Sequence, residues 1–229
     1  MRVMRTGSRS AWLALWLIVA TAQAAAAAPA PLPGSDDCLM CHQAGPPIAH
    51  RAADEAPHFD ADGLRDSPHA GLECAACHAD LKGVEFPHAA PLKPVECGAC
   101  HAKEAAEYAA SVHGAAASRG LSVAPDCKRC HGTHAIRRPS DVRSATYARN
   151  VPALCGQCHL PGVPRRFAST TPRDTTMFAH YDSIHGPGIV MKGLVSAAVC
   201  TSCHTAHQVL PQSDARSSVA RQHVVGTCM

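Results

Sequence analysis

The chain has 229 residues, with 13 Cys, 16 His, 18 Pro and 16 Gly, only 4% aromatic and 17% charged residues, and both Trp within the first 16 positions. Much of its 46% hydrophobic fraction is Ala and Cys, which excludes a conventional large apolar core, a multi-span membrane protein and a coiled coil. Low net charge combined with so much Cys and His argues against plain disorder. The formal charge of +3 equals the contribution of Arg2, Arg5 and Arg9, so the rest of the chain balances to zero. There is no basic stripe and no aromatic interleaving, and nucleic acid is not expected as a partner.

Residues 1–28 read as a signal peptide. The three arginines form a basic start, residues 11–20 (AWLALWLIVA) a short apolar stretch, and Ala22-Gln23-Ala24 a small-residue cleavage site. The alternative is an uncleaved anchor, since Trp12 to Ala30 nearly reaches membrane-spanning length. Either way the remainder is exported.

Twelve of the 13 cysteines fall in six C-x-x-C pairs, each followed at once by His. The first three are Cys38 and Cys41 with His42, Cys74 and Cys77 with His78, and Cys97 and Cys100 with His101. The last three are Cys127 and Cys130 with His131, Cys155 and Cys158 with His159, and Cys200 and Cys203 with His204. This spacing is the attachment signature of c-type haem. One helical turn presents two thiols to the two haem vinyls, and the next residue brings an imidazole to the iron. A zinc ribbon has no need of His after every pair. A disulfide framework does not space its cysteines in twos, and a redox C-x-x-C occurs once, in an α/β setting. Six covalent haems c are therefore expected.

With these motifs, residues 38–229 resemble the multihaem c-type cytochromes, and within them the cytochrome c3/c554-like, doubled C-x-x-C-H group of bacterial respiratory chains. The resemblance implies a periplasmic protein that carries electrons from haem to haem. Its partners would be redox proteins of a respiratory chain, such as a membrane quinol-oxidising or terminal reductase subunit. The alternative is a multihaem reductase of small nitrogen or sulfur compounds, which needs one open iron. The haem at Cys38–His42 has the least obvious distal partner and is the candidate for it.

The chain also repeats. His131-Gly-Thr-His134 matches His204-Thr-Ala-His207, Ser140-Asp141 matches Ser213-Asp214, and Arg143-Ser144 matches Arg216-Ser217, all in one register. Upstream, Ser111-Val-His113-Gly114 matches Ser183-Ile-His185-Gly186. The expected organisation is an N-terminal haem segment over 29–96, repeat unit one over 97–154 and repeat unit two over 155–229. Unit two carries an insertion around Pro161–Tyr181. Cys228 follows His204 at the distance at which Cys155, the first Cys of a haem motif, follows His131, so a truncated seventh motif, and a seventh haem in the intact protein, are expected.

Six irons with two imidazoles each need six distal histidines. Only Met177 and Met191 lie outside the leader, the motifs and the terminus, so counting favours bis-His ligation, which gives lower potentials than His/Met. His113 and His185, in S-x-H-G, are the first candidates. Residues 102–112 read as a helix that carries His113 toward a neighbouring haem and stops at Gly114. His134 and His207 follow a proximal His too closely to reach the far face of the same haem. His69 and His88 precede motifs two and three. His50, His58, His180 and His223 form the spare set.

Divided among six haems, the chain after the leader leaves each too few residues for an independent core. The fold expected is mainly α with extensive irregular loops, little or no β, and the porphyrins as its core. Folding is then tied to haem attachment, as it is to structural metals.

Overall fold

The computed structural model describes residues 34–42, 60–85, 87–88, 92–159, 180 and 183–229. The leader, most of the insertion, and His50, His58 and Met177 lie outside them. Among the described residues every regular element is helical and no strand occurs. The helices are α1 (Asp36–His42), α2 (Ala61–Arg65), α3 (Cys74–Cys77), α4 (Ala102–Ala109), α5 (Val112–Ser118), α6 (Cys127–His131) and α7 (Val151–His159). They continue with α8 (His185–Val190), α9 (Cys200–His204) and α10 (Val224–Cys228). Two 3₁₀ turns, η1 (Ala79–Leu81) and η2 (Cys97–Ala99), complete the set.

Each of these helices is short, the longest being α7 with nine residues, below the length at which a helix is stable by itself in water. Local caps and docking must hold them. Asp60 caps α2 by accepting from the Gly63 N–H at 2.8 Å, and Asp126 caps α6 by accepting from the Arg129 N–H at 3.0 Å. Apolar packing is slight. Val151, Ile189 and Val199 form one small cluster against Cys155, Ala197 and Cys200. The buried polar side chains described are all serines: Ser35, Ser67, Ser111, Ser144 and Ser217.

The helix expected over 102–112 is two helices. α4 ends at Ala109, and the Ser111 hydroxyl caps α5, accepting from the Gly114 N–H at 3.0 Å while donating to the Tyr108 carbonyl at 2.7 Å. Serine competes with helix continuation in this way and starts a new helix instead. Gly114 is therefore no stop signal. It is buried in the first turn of α5, where a Cβ would lie 2.1 Å from the Tyr108 carbonyl oxygen. Glycine lets α5 fold back against the end of α4.

The sequence repeat has a structural counterpart. The Asp141 carboxylate accepts from the Arg143 N–H at 2.8 Å and from its guanidinium at 2.9 Å, and Asp214 holds Arg216 the same way at 2.8 and 2.7 Å. Ser144 donates to the Arg137 carbonyl, and Ser217 to the Leu210 carbonyl. Tyr108 donates to the Pro125 carbonyl at 2.9 Å, and His180 to the Ala198 carbonyl at 3.1 Å. Asn150 donates to the Val142 carbonyl, and His223 to the Ala215 carbonyl, both at 3.0 Å. Two histidines of the spare set thus stand where the first copy has Tyr108 and Asn150.

Candidate metal centres

Each C-x-x-C-H motif sits on a helical turn, which puts its two cysteines, three apart, on one face. All 13 cysteines are free of disulfides. Among the second cysteines of the motifs, Cys41, Cys77 and Cys100 are exposed, and Cys130, Cys158 and Cys203 are half-buried. None is sealed inside the chain, so each thiol stays within reach of a haem vinyl. The Cys203 carbonyl also accepts from the Ser218 hydroxyl, which ties motif six to the loop before α10. Among the described residues no group of three or more His, Cys, Asp or Glu converges as a self-sufficient metal site. Among the described residues these motifs do not gather the four ligands of a tetrahedral zinc centre.

They build pairs of imidazoles. His42 faces His88 at 5.9 Å between ring centroids, His69 faces His101 at 5.9 Å, and His78 faces His134 at 6.2 Å. His113 faces His159 at 6.3 Å, and His131 faces His207 at 6.1 Å. In every pair one partner follows a C-x-x-C and the other does not. The separations have a simple meaning. Two metal–imidazole bonds of about 2 Å, plus roughly 1.1 Å from each nitrogen to its ring centre, span about 6.2 Å. The gap suits one metal ion held between two rings. Two protein ligands alone do not bind a metal tightly, but a porphyrin supplies the other four nitrogens. The donor set fits covalent haem c.

The pairs are long-range, and the docking of loops sets them. The Val112 N–H at the start of α5 donates to the Val209 carbonyl at 2.9 Å, so the strip carrying His113 lies along the strip carrying His207. Upstream, a Cβ on Gly63 would lie 2.6 Å from the Ala135 methyl, so α2 seats against the loop that follows His134. Arg137 and Arg143 reach Asp66 at 3.7 and 3.4 Å across the same contact. Ser67, one residue on, accepts from the His69 N–H at 3.0 Å, as Ser183 does from the His185 N–H at 3.2 Å.

Electrostatics favour the ligand form of these rings. Burial first, and the facing His159 second, hold His113 below the ordinary His pKa. Burial, then His207 and His101, do so for His131, and burial, then His78, for His134. A neutral imidazole is the form that binds a metal.

The thiols show how neighbouring motifs lie. Burial, with Cys74 second, raises the Cys38 pKa, and burial with Cys97 raises that of Cys127; each pair shares a hydrogen bond. Cys155 donates to Cys200, which raises the Cys155 pKa and lowers that of Cys200 to about 6. First cysteines are thus matched in the couples one–two, three–four and five–six. Cys77 feels Cys97 and Cys100, and Cys130 feels Cys158, which joins motif two to three and four to five. Each motif thus has the next one in the chain as a neighbour.

The remaining predicted residues are placed differently. His204 is half-buried and feels His159, but among the described residues no imidazole faces it. His185 opens α8, is exposed, and is not brought against any proximal histidine among the described residues. Met191 is 82% exposed at the end of the same helix. A third S-x-H, Ser67-Pro68-His69, belongs with Ser111-Val112-His113 and Ser183-Ile184-His185. Its proline in place of a branched residue hid it from the repeat.

Residues 67–160 match the protein family described as cytochrome c3. No curated protein and no solved structure matches the chain.

Proposed function

We propose, from the premise that this chain is a multihaem c-type cytochrome with a cytochrome c3 segment at residues 67–160, that it is an exported, periplasmic electron carrier of a respiratory chain holding six haems c. Covalent haem c and haem-based electron transfer follow from the family. Each bound haem supplies an Fe(III)/Fe(II) couple. The chain's own residues do the rest. The twelve motif cysteines, from Cys38 and Cys41 to Cys200 and Cys203, fix the porphyrins. His42, His78, His101, His131, His159 and His204 fix the proximal sides. His88, His134, His69, His207 and His113 cover distal sides.

The observation that carries this reading is the set of five imidazole pairs at 5.9–6.3 Å. Such a pair would hold a haem iron from both sides, which would leave no place for a substrate at that metal and suits electron transfer through the porphyrin edge. The Cys38–His42 motif, the sequence-level candidate for an open iron, has His88 across from its His42. The row of motifs supplies a path, one neighbour at a time. Among the described residues no helix is long and apolar enough to cross a membrane.

The test is expression with a c-type maturation system. Intact mass should exceed the apoprotein by about six haems, and oxidised spectra should be dominated by low-spin iron. Bound zinc without haem, or a cytoplasmic protein, overturns the reading.

A further inference from the structure

The five imidazole pairs differ in how their rings cross. His42 and His88 lie within 14° of parallel, His131 and His207 within 29°, and His78 and His134 within 32°. His113 and His159 cross at 50°, and His69 and His101 at 73°. The division follows the source of the second imidazole. His69 and His113, each from an S-x-H, give the crossed pairs. His134 and His207, each from an H-x-x-H, give near-parallel ones, as His88 does.

The most crossed pair has a cause in the backbone. At His113 the Val112 N–H docks on the Val209 carbonyl, and His113 itself lies in the first turn of α5. The carbonyl that matches it for His69 belongs to Ile136, which follows His134 as Val209 follows His207. Pro68 stands where Val112 stands, and it has no N–H to give. Its fixed φ suits the second position of a turn instead, and the Ala70 N–H closes that turn on the Ser67 carbonyl at 3.2 Å. Asp66, at 3.7 Å from Arg137 and 3.4 Å from Arg143, keeps the turn against the loop that follows His134. His69 thus leaves a turn rather than a helix, and the two rings meet edge to face.

Ring planes matter to a haem iron, and axial ligation is one of the protein's levers on potential. Each imidazole donates π density into the iron d orbital that lies across its ring plane. Two parallel rings raise the same orbital, which holds the single unpaired electron of low-spin Fe(III), and the ferric state gains. Crossed rings divide their donation between two orbitals, so that gain is lost and the potential rises. We propose that Pro68 is a positioning residue: through the turn that aims His69, it makes the haem of motif three the first of the five with paired imidazoles to take an electron. Motifs two and four, its neighbours in the chain, carry near-parallel pairs. An electron at motif three therefore has a lower-potential haem on either side and rests there. The inference rests on the haem-carrier reading and names the centre where charge collects.

The test is EPR during stepwise dithionite reduction of the full haem-loaded chain, with haem counted first by intact mass. A crossed pair gives a strongly anisotropic low-spin signal, and a near-parallel pair gives a rhombic one. The expected result is both kinds of signal, with the most anisotropic lost first on reduction. His69→Ala should remove that signal, whereas His207→Ala should remove a rhombic one. Pro68→Val and Pro68→Ala each restore an N–H to the strip. Both should keep the haem count, move the most anisotropic signal toward that of motif five and shift its potential downward. Rhombic signals alone, loss of the anisotropic signal last, or its survival in His69→Ala overturns the inference and leaves the carrier reading intact. So does an unchanged spectrum and potential in both Pro68 variants. A chain without haem overturns the carrier reading itself.

Discussion

His207 faces His131 across 6.1 Å, the two rings only 29° from parallel, although motifs five and six and the whole insertion of repeat unit two lie between them in the chain. The same His207 lies 3.5 Å from the Glu107 carboxylate of α4 through its Nδ1. A carboxylate at Nδ1 orients a ligating imidazole and raises its basicity. His207→Ala should convert one haem to high spin and raise its potential, since an imidazole donor is lost. Glu107→Gln should keep that haem low-spin and shift its potential upward by less than His207→Ala does. Redox titration with EPR on both variants checks the order.

Gly114→Ala should destabilise the holoprotein by about 1–3 kcal/mol, the usual range for forced overpacking. The added methyl meets the Tyr108 carbonyl at 2.1 Å and the Ala109 Cα at 2.9 Å, both backbone atoms with nowhere to rotate. α5 must shift, and His113 shifts with it. Denaturant unfolding gives the stability change, and the spectrum of one haem should change along with it. Ala in place of Gly120, where nothing lies within 4 Å of a Cβ but φ is +76°, should affect stability without that spectral change.

Tyr108→Phe removes the donor to the Pro125 carbonyl and should cost about 1 kcal/mol. Tyr108→His should cost less, because the second copy uses His180 to bond the matching Ala198 carbonyl. Thermal unfolding of the two variants side by side decides this. Equal losses would mean that the hydrogen bond is not what the two positions share.

The two Asp-x-Arg turns give a pH prediction. Hydrogen bonds from Arg143 hold the Asp141 carboxyl well below its ordinary range, and those from Arg216 bring Asp214 down to about 2. A depressed carboxyl contributes stability above its unfolded value near 3.8, and the contribution is lost as pH falls through the folded value. These turns should therefore persist from neutral pH to below pH 4 and open only near pH 2 for Asp214. Asp214→Asn should remove that part of the acid dependence, as followed by unfolding at stepped pH. The carboxylates are exposed, so the effect should shrink in high salt.

The C-x-x-C-H motifs and the helical, loop-rich character of the described residues are legible in the sequence, because six repeats of C-x-x-C-H and an aromatic-poor composition leave little choice. His113, His134, His207, His69 and His88 stand out there too. Which imidazole faces which does not, because loop docking decides it, through contacts such as Val112 to Val209 and Gly63 against Ala135. No spacing rule reports such contacts. The break between α4 and α5 was hidden for a different reason. Helix propensity rises through Ala109-Ala110, and only the capping geometry of Ser111 ends it. Tyr108 and His180 share a role, but His180 falls one position short of the register that relates the haem motifs, so a simple alignment of the copies misses them.

The imidazole pairs also run in two directions along the chain, which sets a schedule. A chain that emerges N-terminus first presents His69 before His101, and His113 before His159. The second imidazole of those pairs would already be made when a haem is joined to the cysteines of motif three or five. His78 and His131 must wait for His134 and His207, each of which emerges only after two further motifs have passed. On the haem-carrier reading, motifs three and five would then have both imidazoles available at once, while two and four would wait for theirs. A chain stopped between His131 and His207 would lack the imidazole that faces His131, and a haem held there, if bound, would be the one open to carbon monoxide.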